Sequence, residues 1–346
     1  MNKIDHIYST RQFEKAFHWK IVFEWEDIIA QKLGLDFVYG TNKLKELQDW
    51  LTRFYVHIPH VSVFTTLLIR IYNLFVPSKG ITVYYQMDTL LYYYEIYNRK
   101  DMIPIMIDFW LKDGEIPDFI RKHKRNPYIG ISSRQVYDKL VAMNLGKQFF
   151  HCPLTLSDNY ALTPATRYKK EYDLTVIGGA NRNPYFMPFI NKYKEENPSF
   201  TYIVCKVNPK DNTVFYETDT GEYVCEANTR EQYIELIRKT KIALYTTPGI
   251  GGRKNANGYD QVTPRFLELV AGQCHILAHY SKNSDTDYFE LDSFSPDITD
   301  YEMFKHELEK KLNSDPDYEM YYRYMEKHYT SSIIPVIKDI EKELNK

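Results

Sequence analysis

Apolar positions along this chain fall into two blocks of alternating strand and helix periods, separated by a polar stretch rich in turn residues. From Ile81 the chain reads ITVYYQ, TLLYYYEIYNR, MIPIMI, IPDFIRKHK, YIGIS, QVYDKLVAMN and FFHC. Short apolar runs of strand length thus alternate with longer segments of helical spacing, which predicts a parallel sheet covered on both faces. Ahead of this block, Phe23 to Gly34 and Lys43 to Phe54 have the spacing of amphipathic helices flanking a short strand, LDFVY. Periodicity is lost between Ser157 and Lys170, and the domain linker is placed there. It returns at Asp173 to Gly179, DLTVIGG, a buried strand running into two glycines. PFINKYKEEN and REQYIELIRKT follow as helices and FTYIVCKV and KIALYTT as strands, with a strand pair in NPKDNTVFYETDTGEYVCEA. Beyond Asp300 only helices are expected. The pattern predicts an α/β protein of two Rossmann-like, doubly wound domains, 1–158 and 159–346.

The stretch from Tyr259 to Phe289 carries the densest chemistry. Thr263 suits an N-cap and Pro264 the first helical position, so a helix starts there, and Gly272 stops it. Phe266, Leu267, Leu269, Val270 and Ala271 cover one broad side, leaving Arg265 and Glu268, three apart, on the other. A helix start with free N–H groups favours an anion such as a diphosphate. A carboxylate one turn further in suits the two hydroxyls of a ribose. Asp260 precedes Glu268 by eight positions. Upstream, Gly178 and Gly179 allow close backbone approach to a phosphate, with Arg182 following, and the loop PGIGGRKNANGYD adds four glycines with Arg253 and Lys254.

An acid, seven residues, Glu268, then Ala271-Gly272 and a strand resembles the nucleotide-sugar signature of GT-B glycosyltransferases, especially the family 4 type. TPRFLELVAGQCHILA is closest to the group that includes spore-maturation CgeB-like proteins, and YDLTVIGGANR resembles the opening of that group's C-terminal domain. The resemblance covers Tyr172 to Phe289 well and the first domain only in layout. It implies a GT-B architecture, with an acceptor-side domain followed by a domain for the nucleotide-sugar donor. It implies that Glu268 holds the ribose and Asp260 faces the donor sugar. The family usually has Glu at that first acid, so Asp260 is a departure, one methylene shorter. The transfer so implied moves a sugar to a hydroxyl of a glycan, glycolipid or protein acceptor, in bacterial surface polysaccharide or glycoconjugate synthesis. Two other readings stay open: a nucleotide-binding scaffold without transfer activity, and a nucleotide-sugar epimerase on the same architecture.

Composition narrows the field. At 346 residues the chain suits two domains, and 44 basic against 46 acidic residues leave a formal charge of -2 with no concentrated basic surface for nucleic acid. Its four cysteines, Cys152, Cys205, Cys225 and Cys274, are too scattered for a metal site and read as free thiols in a cytoplasmic protein. The start is polar, without a signal peptide, and the apolar run Val61 to Val76 is interrupted by Arg70 and Asn73, as in a core helix or a peripheral membrane contact. RKHKR, Arg121 to Arg125, is a solvated run that would also suit a phosphate-bearing lipid acceptor. No metal is expected: Asp285-Thr286-Asp287 matches a short acidic motif but lacks a preceding strand, and His57 and His60 have no third ligand nearby.

In the first domain, candidates are sought beyond the carboxyl ends of the strands. Asp88, Asp108 and Ser132 or Ser133 fall there. Asp108, followed by the aromatic pair Phe109 and Trp110, suits a sugar, and it is the candidate base if the reaction inverts configuration.

Overall fold

The computed structural model describes residues 3–12, 14–39, 71, 80–88, 98–178, 183–250 and 256–346. The chain divides into two compact units, Met1–Ser157 with Thr330–Lys346, and Asp158–Tyr329.

The first unit is built on a six-stranded sheet: β1 (Ile4–Ser9), β2 (Asp36–Tyr39), β3 (Ile81–Asp88), β4 (Met102–Asp108), β5 (Ile129–Ile131) and β6 (Phe149–His151). Its order is β2-β1-β3-β4-β5-β6 and every pairing is parallel. Helix α1 (Trp19–Leu33) ends on Gly34, whose φ of 65° is the left-handed turn a glycine takes without cost. Helices α2 (Ile116–Lys122) and α3 (Arg134–Ala142) follow β4 and β5. Strand β1 was not foreseen from the polar start of the chain, although Ile4, Ile7 and Tyr8 are buried. Strand order reverses between β1 and β3, and open α/β sheets bind ligands at the carboxyl ends beside such a reversal.

The second unit holds another six-stranded sheet: β7 (Tyr172–Val176), β8 (Ile203–Val207), β9 (Val214–Thr218), β10 (Tyr223–Glu226), β11 (Thr240–Thr246) and β12 (His275–His279), in the order β10-β9-β8-β7-β11-β12. Four strands are parallel; the expected strand pair forms an antiparallel extension, β9 on β8 and β10 on β9. Helices α4 (Met187–Glu196), α5 (Arg230–Lys239), α6 (Pro264–Ala271), α7 (Ser284–Tyr288), α8 (Tyr301–Leu312) and α9 (Tyr318–Glu326) surround it. On one face Leu174, Val176, Ile242, Leu244 and Leu277 pack with Phe186, Ile190 and Phe304. Here the order reverses between β7 and β11. The final helix α10 (Ile334–Glu343) belongs to the first unit, where Glu341 accepts the backbone N–H of Ile4 at 3.2 Å.

Candidate functional site

The reversal between β7 and β11 places the segment after Val176 beside Thr246 and Thr247. Gly178 has φ 79°, a conformation open to glycine, and its N–H donates to the buried Tyr216 hydroxyl at 3.3 Å. Asn183, fully buried, donates to Ile177 O at 3.1 Å and accepts from Thr246 Oγ1 at 3.5 Å, tying the β7 turn to β11. Gly179, Arg182, Arg253 and Lys254 lie outside the described residues, as do His57 and His60.

Helix α6 begins at Pro264 as the sequence predicts, but Thr263 caps it differently. Its side chain accepts no bond from the helix, and its own N–H donates to Tyr245 Oη at 2.9 Å. Gly272 stands directly after the last helical residue, Ala271, as the sequence predicts, but without a left-handed turn. That conformation belongs to Gln273, at φ 55°, and Gly272 is needed for space: a Cβ there would lie 2.3 Å from Ile237 Cγ2 on α5.

Arg265 and Glu268 do not share an open polar face. Glu268 is only 5% exposed. Its Oε1 accepts from Arg230 Nη1 at 2.5 Å and its Oε2 from Tyr233 Oη at 3.1 Å. Both partners come from the first turns of α5, which Thr229 and Gln232 cap reciprocally, so they sit three apart on one face. Tyr160 lies over the Arg230 guanidinium, 5.6 Å from its carbon. Arg265 bonds Tyr233 as well; burial works against its charge, and Tyr233, Glu268 and Tyr216 together hold its pKa above the ordinary value. Burial first, and then the Glu268 charge, push the Tyr233 phenol up. Among the described residues the buried Nε–H of Arg265 has no acceptor.

Asp260 is a clamp. Oδ2 accepts from Thr247 Oγ1 at 2.7 Å and from Ser281 N at 2.8 Å, while Oδ1 accepts from Ile250 N at 3.1 Å. It therefore joins the loops that leave β11 and β12. Gly249 passes so close that a Cβ would meet Tyr259 O at 2.3 Å and Asp260 Oδ1 at 2.6 Å. Asp285 is likewise committed, accepting the Val262 N–H at 2.7 Å from within α7, which Asn283 caps.

In the first unit Asp108 ends β4 in register with Asp88 on β3. Phe109 and Trp110, expected as platforms for a sugar, are each 1% exposed, and Phe109 packs edge-on against Phe119 with centroids 5.3 Å apart. Both therefore belong to the core. Ser132 donates to Ile107 O at 2.5 Å and Ser133 caps α3. What the sequence reading missed is at the β1/β3 reversal: Glu26 of α1, buried, accepts from Ser9 Oγ at 2.5 Å and Arg11 Nη2 at 3.1 Å, and Arg11 also pairs with Asp27. Burial pushes the Glu26 carboxyl up to about 7, against the pull of Ser9 and Arg11. Its signal was legible, since Glu26 falls between Val22 and Ile29 on the buried stripe of the helix.

No family model and no curated protein matches the chain. Among solved structures it is similar to an alpha,alpha-trehalose-phosphate synthase (UDP-forming) from Burkholderia vietnamiensis, with TM-score 0.56 and 8% identity over 98% of each chain. It is similar also to a UDP-N-acetylglucosamine 2-epimerase, with TM-score 0.50 and 12% identity over 97% of this chain and 95% of that one. It spans 60% of the matched chain of a GtfA/B complex, at 9% identity over 82% of its own length and TM-score 0.49. Likeness at such identity concerns the fold: two α/β units on parallel sheets, in the GT-B architecture.

Proposed function

We propose that the chain is a glycosyltransferase that moves a sugar from a nucleotide-diphosphate sugar to a hydroxyl acceptor. The observation that carries this reading is Arg265 at the start of α6, a cation whose buried Nε–H has no acceptor among the described residues. An unmatched buried donor costs about 1 to 3 kcal/mol, more for a charged group, and a diphosphate oxygen would remove that cost. The reversal of strand order next to Gly178 supports the same location. In this reading Arg265, the α6 start at Thr263 and Pro264, Gly178 and Gly179, Arg182, Arg253 and Lys254 receive the phosphates. Each oxygen of Glu268 has a second lone pair left for a ribose hydroxyl beyond its bonds to Arg230 and Tyr233. Asp260 holds the loops around the donor sugar, and Asp108 stands on the acceptor side. This reading assigns no residue to a metal; Asp285, the first acid of the short acidic motif, accepts the Val262 N–H.

The finer reading places the chain with the CgeB-like group, acting in the cytoplasm or at the inner membrane face in surface polysaccharide or glycoconjugate synthesis. Among the described residues no helix is long and apolar enough to cross a membrane. The neighbouring structures act on or form UDP compounds by their names, which makes UDP the first ligand to try. UDP should raise the melting temperature of the wild type. Arg265→Met should bind UDP at least tenfold more weakly, equivalent to about 1.4 kcal/mol. Equal affinity in a folded variant would sink the phosphate assignment. An epimerase on the same fold would convert the donor with no acceptor present, and a scaffold would bind UDP without turnover.

A further inference from the structure

The antiparallel strand pair at the edge of the second sheet sends one side chain back toward the β7 turn. Tyr216 is the one buried residue of β9. It pairs with Cys205 on β8, and residues directly opposite each other share a face, so the ring has only a small side chain beside it on the way to β7. Two strand spacings, about 10 Å, separate β9 from β7, a gap that only a long side chain crosses. The phenol ends at the turn after β7, where its oxygen accepts the Gly178 N–H at 3.3 Å.

Gly178 thus spends its N–H on Tyr216, so the turn itself offers a phosphate room and the hydroxyl offers the hydrogen. Burial first, and then Cys205 and Tyr233, push the phenol up against the pull of the Gly178 N–H and Arg265. The hydroxyl therefore stays neutral and keeps its hydrogen, and among the described residues no acceptor takes it. Arg265 lies within electrostatic reach, each group shifting the other, and its buried Nε–H likewise has no acceptor among the described residues. Two buried donors, one from β9 and one from α6, are left to satisfy beside the same turn. The charges around them do not cancel either: the two guanidiniums of Arg230 and Arg265 face the one carboxylate of Glu268, which leaves one positive charge. Donors and charge both call for an anion.

We propose that the Tyr216 hydroxyl donates to a phosphate oxygen of the bound nucleoside diphosphate, with Arg265 beside it, an inference that rests on the glycosyltransferase reading above. The Gly178 N–H, the Tyr216 O–H and the phosphate oxygen form one chain of hydrogen bonds in which each bond polarises the next. Tyr216 binds and orients the diphosphate and holds its own proton throughout. The rival role is purely local, with the phenol oxygen closing the β7 turn by accepting from Gly178. The two roles differ in sign: a ligand contact uses the hydroxyl as donor, and turn closure uses it as acceptor.

The test uses the full chain and calorimetric titration with UDP. Tyr216→Phe keeps the ring, deletes the hydroxyl and should bind UDP roughly tenfold more weakly. Replacing Tyr216 by 3-fluorotyrosine makes the hydroxyl a stronger donor and a weaker acceptor, so that protein should bind UDP more tightly than the wild type. Affinity that is unchanged or lower in the fluorinated protein would leave only turn closure and overturn the proposal. A folded Tyr216→Phe with UDP affinity within about twofold of wild type would overturn it as well. If Tyr216→Phe does not fold, the fluorinated protein, which is nearly the same size as the wild type, still decides. Arg265→Met, titrated alongside, keeps the two readings apart. A wild type that does not bind UDP, or an Arg265→Met variant of unchanged affinity, removes the phosphate assignment and Tyr216 with it. UDP affinity that depends on Arg265 and not on the Tyr216 hydroxyl overturns the role of Tyr216 alone.

Discussion

Glu268→Ala is the perturbation whose outcome the structure changes most. A carboxylate on an open helix face would be removed at a cost below about 0.5 kcal/mol. Glu268 instead lies buried against Arg230 and Tyr233, with side-chain exposures of 6% for both members of the ion pair. Its removal leaves the Arg230 guanidinium buried and unmatched, and breaking one side of such a pair costs about 3 to 5 kcal/mol. For a unit of this size each kcal/mol moves the melting temperature by roughly 2 to 4 °C, so the variant should melt about 6 to 20 °C lower. Urea denaturation followed by circular dichroism gives the same quantity independently. The double variant Arg230→Met, Glu268→Leu removes both charges together and should recover most of the loss, because an apolar pair of similar volume is often as stable as a buried ion pair. UDP affinity should not recover with it: loss of hydrogen bonds from a charged group to the ribose should leave binding about tenfold to a hundredfold weaker. A single variant destabilised by less than about 1 kcal/mol would refute the burial argument. A stable double variant with wild-type UDP affinity would confine Glu268 to the fold.

Glu26 makes stability depend on pH. Its folded pKa is raised to about 7 by burial, so the fold favours the protonated acid: the full contribution is present below about 4.5 and is lost as pH rises toward 7, a range worth roughly 3 kcal/mol. Glu26→Gln should flatten that decline in urea midpoints measured from pH 4.5 to 8; an unchanged slope would assign it to other groups. Gly249→Ala should destabilise by about 1 to 3 kcal/mol, since the atoms its Cβ would strike are the Tyr259 carbonyl and the clamped Asp260, neither of which can swing aside. A melting temperature within error of wild type would show that the loop shifts freely.

Local periodicity made the scaffold of the site readable, and long-range pairing made its chemistry hard to read. The start of α6 at Pro264 and the strands on either side were legible because capping preference and apolar spacing act within a few residues. Glu268 looked open because the helix that covers it is contributed by Arg230 and Tyr233, 38 and 35 positions away, and nothing in PRFLELVA announces them. Asp260 was legible as an acid near the site, but the three donors that saturate it come from three separate loop positions. Phe109 and Trp110 show the converse error. An acid followed by aromatics fits a sugar platform and also the end of a buried strand, and only the burial of both rings, invisible in the sequence, separates the two. β1 escaped because Asp5 and His6 interrupt its apolar positions. The strand accommodates them with a break in its register against β3 between Ile4 and His6, which leaves Asp5 out of the ladder, while His6 pairs with both neighbours.

The assignment of Thr330–Lys346 to the first unit has a consequence for the order in which the protein acquires its shape. Thr330 donates its N–H to Leu156 O at 2.9 Å, and Ile333, Ile337 and Ile340 are buried in that unit. The segment 158–329 is thus an insertion whose two ends leave the first unit side by side. During synthesis from the N-terminus, domains fold as their residues emerge. The inserted unit has all its strands and helices available while the first unit still lacks α10, so the part of the chain that is made first is finished last. Until then the apolar surface awaiting Ile333, Ile337 and Ile340 stays open to solvent, and it is there that a nascent chain of this protein would need the protection of a chaperone.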